Sequence, residues 1–167
     1  MKRESASHHA FAMLDILITL ALLAVIATIA LPALQPSDTL RMITAANTLA
    51  ADIEYAQSIS MSEPAALVSV QFDPDTARYW LAREATPDTP IERGDGSPYE
   101  VSFGEGTAEY LRAITLRLDE PKGAAGFTFD AFGRLKDESD ALIVLGGATG
   151  ELAVRVKRST GSVMIGQ

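Results

Sequence analysis

The run Phe11–Leu34 is apolar for 24 residues, with Asp15, Thr19 and Thr28 its only clearly polar side chains. As a helix it would measure about 36 Å at ~1.5 Å per residue. A hydrocarbon core is about 30 Å thick, so the run is long enough to cross it with some tilt. The pattern then changes. From Ser37 to Ser62, Met42, Ala46, Leu49, Ile53 and Ala56 recur at 4-3-4-3 spacing, which predicts an amphipathic helix with a single apolar stripe. Ser37 or Asp38 suits its N-cap, and Glu63-Pro64 ends it, because a residue before proline avoids the α region. Together the two segments predict a long helix, bent near Pro32 and Pro36.

Beyond Pro64 the period becomes two. Ala66–Phe72 puts Val68, Val70 and Phe72 on one face, and Asp73-Pro74-Asp75-Thr76 is a turn by composition. With Arg78–Arg83 it predicts a β-hairpin. Residues 85–109 are rich in Pro and Gly and read as loop, with one short strand at Tyr99–Phe103. Such a surface is either a partner contact or an ordinary exposed connection. Further strands are expected at Ile114–Leu118, from Phe127 into a Gly133 turn, at Ala141–Leu145, at Leu152–Lys157 and at Val163–Ile165. One helix followed by hairpins is an α+β pattern: a long N-terminal helix packed on an antiparallel sheet.

The apolar run decides the organisation. A secretory signal peptide has an h-region of roughly 7–15 residues, and here Pro32 spoils the best exit near Ala30. A plain signal anchor fits the length but leaves Asp15 unexplained. A buried helix of a soluble domain is not normally apolar on every face for so long. Lys2 and Arg3 precede the run, so the positive-inside rule puts the N-terminus in the cytoplasm and the rest outside. Asp15 near the cytoplasmic end is open to two readings. It reaches the headgroups at little cost, or it sits deeper at a cost of roughly 2.5–3.5 kcal/mol and has a function.

Charge and chemistry narrow the classes. The chain of 167 residues carries a net charge of −8 and no cysteine. Its first ten residues hold Lys2, Arg3 and Glu4, a net +1, so the remainder stands at −9. An acidic surface argues against sequence-independent nucleic-acid binding, and no nucleic-acid partner is expected. Both histidines, His8 and His9, lie in those first ten residues. If they are removed, the chain has no Ser-His or Cys-His pair and no His- or Cys-ligated metal site. Asp73 and Asp75 lack the spacing of a calcium loop, and Gly146–Gly150 lacks a P-loop ending, so no cofactor is expected. An enzyme is the least favoured class.

The stretch His9-Ala10-Phe11-Ala12-Met13-Leu14-Asp15, a polar leader ending in a small residue before an aromatic, resembles the processing site of type IV prepilins and type II secretion pseudopilins. Phe127–Arg134 resembles the aromatic-x-aromatic-x-x-x-Gly-Arg stretch of H-type minor pseudopilins and FimT-like pilins. Thr160-Gly161-Ser162-Val163 resembles their terminal turn, with Ser162 in place of the usual Arg. The resemblance implies a leader over residues 1–10, cleavage by a prepilin peptidase between Ala10 and Phe11, and methylation of the new N-terminus at Phe11. It also implies a transmembrane helix over 11–34, its exported half over 35–62 and a β domain over 63–167. Asp15 would then offset the amino terminus of a neighbouring pilin subunit, and Pro32 would kink the rod. The family usually has Gly where Ala10 stands and Glu where Asp15 stands. The implied protein is a minor pilin or pseudopilin of a type IV pilus or type II secretion pseudopilus. It is anchored in the bacterial inner membrane with its C-terminal domain in the periplasm. The competing account is an uncleaved, single-pass anchored β-rich binding module.

Overall fold

The computed structural model describes residues 13–26 and 38–166, and the chain divides into two compact units, residues 1–37 and 38–167. In the first unit residues 13–26 form helix α1, with every side chain exposed. No helix among the described residues is long and apolar enough to cross a membrane. The remainder of the expected span, with Phe11 and Pro32, lies outside the described residues, as does the bend expected between the helices.

The second unit begins with α2, Asp38–Ser62. All five stripe residues read from the spacing are buried, joined by Ala45 and Ser60. The helix closes where Pro64 requires it, with the Glu63 N–H donating to the Ile59 carbonyl at 2.8 Å. Strands β1 (Val68–Asp73) and β2 (Arg78–Arg83) form the expected hairpin, in register from Val68 opposite Arg83 to Asp73 opposite Arg78. Its turn is held by the Asp73 carboxylate, which accepts from the Thr76 hydroxyl at 2.8 Å and the Asp75 N–H at 3.1 Å. The Thr76 hydrogen bond helps to hold the Asp73 carboxyl below its ordinary pKa.

The region read as loop from 85 to 109 is more ordered than its composition suggests. Thr86–Pro90 is a strand, β3, on the edge of the first sheet. Pro87 and Pro90 argue against a central strand, but an edge tolerates residues without an N–H donor. Glu100–Ser102 is β4, close to the expected Tyr99–Phe103 strand. Gly106–Leu111 is a 3₁₀ helix burying Ala108 and Leu111, too short to show a helical period in the sequence. The later strands are β5 (Thr115–Glu120), β6 (Gly126–Thr128), β7 (Ala141–Gly147), β8 (Gly150–Val156) and β9 (Val163–Gly166). The expected Gly146–Glu151 loop tightens to a two-residue turn, because Gly147 pairs with Gly150.

These strands make two antiparallel sheets, not one. The first runs β3-β2-β1-β6 with β4 also on β2, and the second runs β5-β7-β8-β9. The chain leaves the first sheet for β5, returns to place β6 against β1, then completes the second sheet. Helix α2 packs against β1 of one sheet and β7, β8 and β9 of the other. One hydrophobic core results. A row of rings crosses it, from Phe129 to Phe127 (5.8 Å), Phe72 (5.9 Å), Tyr79 (6.4 Å) and Phe103 (6.0 Å).

Leu49 is fully buried at the middle of the α2 stripe, whereas Ala51 faces solvent. Leu49→Ala is expected to destabilise the chain by about 2–5 kcal/mol, and Ala51→Ser by no more than about 0.5 kcal/mol. Urea unfolding of the full chain in detergent, followed through its single tryptophan, Trp80, checks both values.

Candidate functional site

The candidate sites lie at the two ends of the chain. In α1, Asp15 is exposed among exposed Met13, Leu14, Ile16, Leu17, Ile18 and Leu20. The Thr19 hydroxyl donates to the Asp15 carbonyl at 3.0 Å and the Ile16 carbonyl at 2.9 Å, so this polar side chain is satisfied within its own helix. The Asp15 carboxylate, in contrast, makes no side-chain hydrogen bond or ion pair among the described residues. Such a continuous apolar surface needs a non-aqueous neighbour, lipid or protein. Ala10, Phe11 and Pro32 fall outside the described residues.

In the second unit the Phe127–Arg134 stretch divides its labour. Phe127 and Phe129 are buried in the core. Asp130 then builds a rigid turn: its carboxylate accepts the N–H groups of Phe132 (2.8 Å) and Arg134 (2.9 Å) and pairs with the Arg134 guanidinium at 2.9 Å. Burial is the largest single influence on the Asp130 carboxyl and pushes its pKa up, but these hydrogen bonds and the Arg134 charge together outweigh it and hold the pKa below its ordinary value. Gly133 takes φ +75°, a left-handed conformation that disfavours a side chain. Arg134 is half-exposed and lies 5.1 Å from the Phe132 ring.

The two tail motifs meet at a residue the sequence did not single out. The Gln57 amide, on α2, donates to the Gly133 carbonyl at 2.7 Å and to the Thr160 carbonyl at 2.9 Å. Gly161 sits so close that an added Cβ would lie 2.1 Å from the Gly133 oxygen. The Gly-Arg turn and the Thr-Gly-Ser turn are therefore clasped together on one helix side chain.

A second unanticipated cluster centres on Asp52. Its carboxylate accepts from the Tyr79 hydroxyl at 2.6 Å and the Tyr99 hydroxyl at 2.8 Å. Tyr99 stacks on Tyr55 at 5.4 Å, and the Arg93 guanidinium lies 4.3 Å from the Tyr99 ring. Burial, and then the neighbouring carboxylate, push the Tyr79 phenol well above its ordinary pKa. Nothing here resembles a nucleophile with its base, and no cluster of three or more metal-ligating side chains exists among the described residues.

No protein-family model matches the chain, and no curated protein matches it. Solved structures do. The type IV minor pilin FimU of Pseudomonas aeruginosa strain PAO1 matches at 18% identity with a TM-score of 0.52, over 75% of this chain and 88% of that one. The minor pseudopilin EpsH from the type 2 secretion system of Vibrio cholerae matches at 10% identity with a TM-score of 0.56, over 75% of this chain and 95% of that one. At these identities the likeness is one of fold: the chain has an α+β fold shared with minor pilins and pseudopilins.

The Tyr79 phenol makes stability depend on alkaline pH. Its folded pKa is raised, so above the ordinary value of 10.0 the folded state keeps a proton that the unfolded state releases. The stabilisation is full below pH 10 and declines above it, by about 1.4 kcal/mol per pH unit. Tyr79→Phe is expected to lessen the decline in urea titrations from pH 10 to 11 without abolishing it, because burial and the hydrogen bond to Asp52 also raise the Tyr99 phenol. Below pH 10 it should cost about 1–3 kcal/mol, because Asp52 loses a buried partner.

Proposed function

We propose that the chain is a minor pilin-like subunit of a type IV pilus or type II secretion pseudopilus. Support comes from a combination in one chain: a globular unit with the minor-pilin fold, preceded by an exposed apolar helix with a carboxylate near its start. On this reading the first ten residues are a leader, a prepilin peptidase cuts between Ala10 and Phe11, and Phe11 is methylated. Residues 11–34 anchor the subunit in the inner membrane, N-terminus cytoplasmic and β domain periplasmic, with a bend at Pro32.

The function is then mechanical. Subunits leave the bilayer by packing helix against helix, exchanging lipid contacts for protein contacts of similar polarity. Asp15 would face an α-amino group in an environment of low dielectric, where a pair of opposite charges is held far more strongly than in water. An unpaired carboxylate there would be costly, so the pairing favours assembly in one register.

The test is the intact mass and N-terminal sequence of the membrane-extracted protein from cells holding a prepilin peptidase. A chain beginning at Phe11 and heavier by one methyl group is expected. A chain retaining Met1–Ala10 sinks the proposal and leaves an anchored binding module. In processed protein, Asp15→Ala is expected to abolish recovery in sheared filaments while leaving membrane insertion intact.

A further inference from the structure

The chain has no cysteine, so the oxidation chemistry of sulfur rests with its five methionines. Three of them, Met42, Met61 and Met164, lie in the second unit. Met42 is buried at 6% exposure, and a thioether kept from solvent reacts slowly. Met61 and Met164 are 53% and 43% exposed. What separates these two is where the sulfur rests.

Met61 stands one turn beyond Gln57 on the same flank of α2. A Cβ added at Gly133 would lie 2.8 Å from the Met61 sulfur and 2.9 Å from the Gln57 amide nitrogen. Both atoms press on the Gly133 turn and are near neighbours across its face. The Gln57 amide has two N–H donors, and the Gly133 and Thr160 carbonyls take them. The joint has little slack, because an added Cβ at Gly161 would lie 2.2 Å from the same nitrogen. A thioether is a weak acceptor and leaves these bonds alone. A sulfoxide is larger and polar, and its oxygen accepts strongly. The atoms nearest an added Cβ at either glycine include none from Met164.

We propose that Met61 is an oxidation-sensitive site that controls the joint between the Gly133 and Gly161 turns. The oxidant is a hydroperoxide, with hydrogen peroxide the simplest. The Met61 sulfur attacks one peroxide oxygen, and the S–O bond forms as the O–O bond breaks. The departing hydroxide takes the proton of the transferred hydroxyl and leaves as water. Sulfur loses two electrons and the peroxide gains them. The sulfoxide oxygen then accepts from the Gln57 amide in competition with the Gly133 and Thr160 carbonyls, and the two turns lose their shared anchor. A methionine sulfoxide reductase reverses the step, oxidising two thiols to a disulfide and releasing water. The change is local: Leu135 donates to the Arg158 carbonyl at 3.1 Å without Met61, and β7 and β8 pair along their whole length. The site concerns the second unit alone and stands independently of the filament-subunit reading.

The test treats the full chain in detergent with hydrogen peroxide and reads peptide masses and backbone hydrogen exchange from the same sample. Met61 and Met164 are each expected to gain one oxygen atom well before Met42. Exchange at the Gly133, Arg134 and Gly161 amides should then rise about tenfold, as for the loss of one net hydrogen bond. Amides of β7 and β8 should keep their rates. Met61→Leu keeps the apolar contact and removes the sulfur. Its exchange should not respond to peroxide, although Met164 still takes up oxygen. Unchanged exchange in the oxidised wild type, an equal rise in Met61→Leu, or a rise shared by β7 and β8 would each overturn the proposal. So would a Met61 that resists peroxide as long as Met42 does.

Discussion

Everything in the globular unit depends on one helix face being shared by two sheets. Met42, Ala45, Ala46, Leu49, Ile53 and Ala56 form a buried stripe that meets β1 on one side and β7, β8 and β9 on the other. Neither sheet is wide enough to bury its own inner face. The stripe has alanine at three of these six positions, so the helix backbone can approach both sheets closely. Gly147 shows the tightness: an added Cβ there would lie 2.6 Å from the Met42 sulfur. The larger side chains, Leu49 and Ile53, then fill the space where the sheets converge. Removing α2 would expose the core of both sheets at once.

That constraint explains the interleaved chain path. A strand from the second sheet, β5, lies against β1 of the first, and the chain returns to add β6 on the free side of β1. The return brings Phe127 and Phe129 into the aromatic row begun by Phe72 and Tyr79. It also ends the chain's passage through the first sheet at Asp130, where the exposed turn begins. The exposed aromatic turn is thus positioned by core packing, although it contributes nothing to the core itself.

Local periodicity carried much of this into the sequence. The 4-3-4-3 spacing named five buried residues of α2, and strict alternation named the buried face of β1. The breaks at Pro64 and around Asp73 were legible because backbone chemistry acts over a few residues. What escaped was set at long range. No short window tells that Asp52 meets Tyr79 and Tyr99, 27 and 47 residues away. Nor does it tell that Gln57 reaches residues 76 and 103 positions on. Strand β3 was hidden by its prolines, and the division into two sheets by the fact that hairpins read alike in either. At the N-terminal site only Asp15 can be placed on a described helix. The roles of Ala10, Phe11 and Pro32 rest on resemblance alone.

The polar residues of α2 have a separate task from its apolar ones. Burial of apolar area is non-directional, so a stripe rich in Ala and Leu would tolerate rotation or sliding of the helix over the sheets. Hydrogen bonds weaken steeply with misalignment and do not tolerate it. Asp52 borders the stripe on one side and is tied to β2 and Tyr99, while Gln57 borders it on the other and is tied to two turns. Ser60, within the stripe, accepts the Val68 N–H at 2.9 Å where β1 begins. Three polar anchors on different sides of one helix fix its rotation and its axial position together. If the chain is the filament subunit proposed above, that register would matter, because a load on α2 would have to reach the sheets without slippage. The apolar stripe supplies most of the stability, and these three side chains determine which of many similar packings it stabilises.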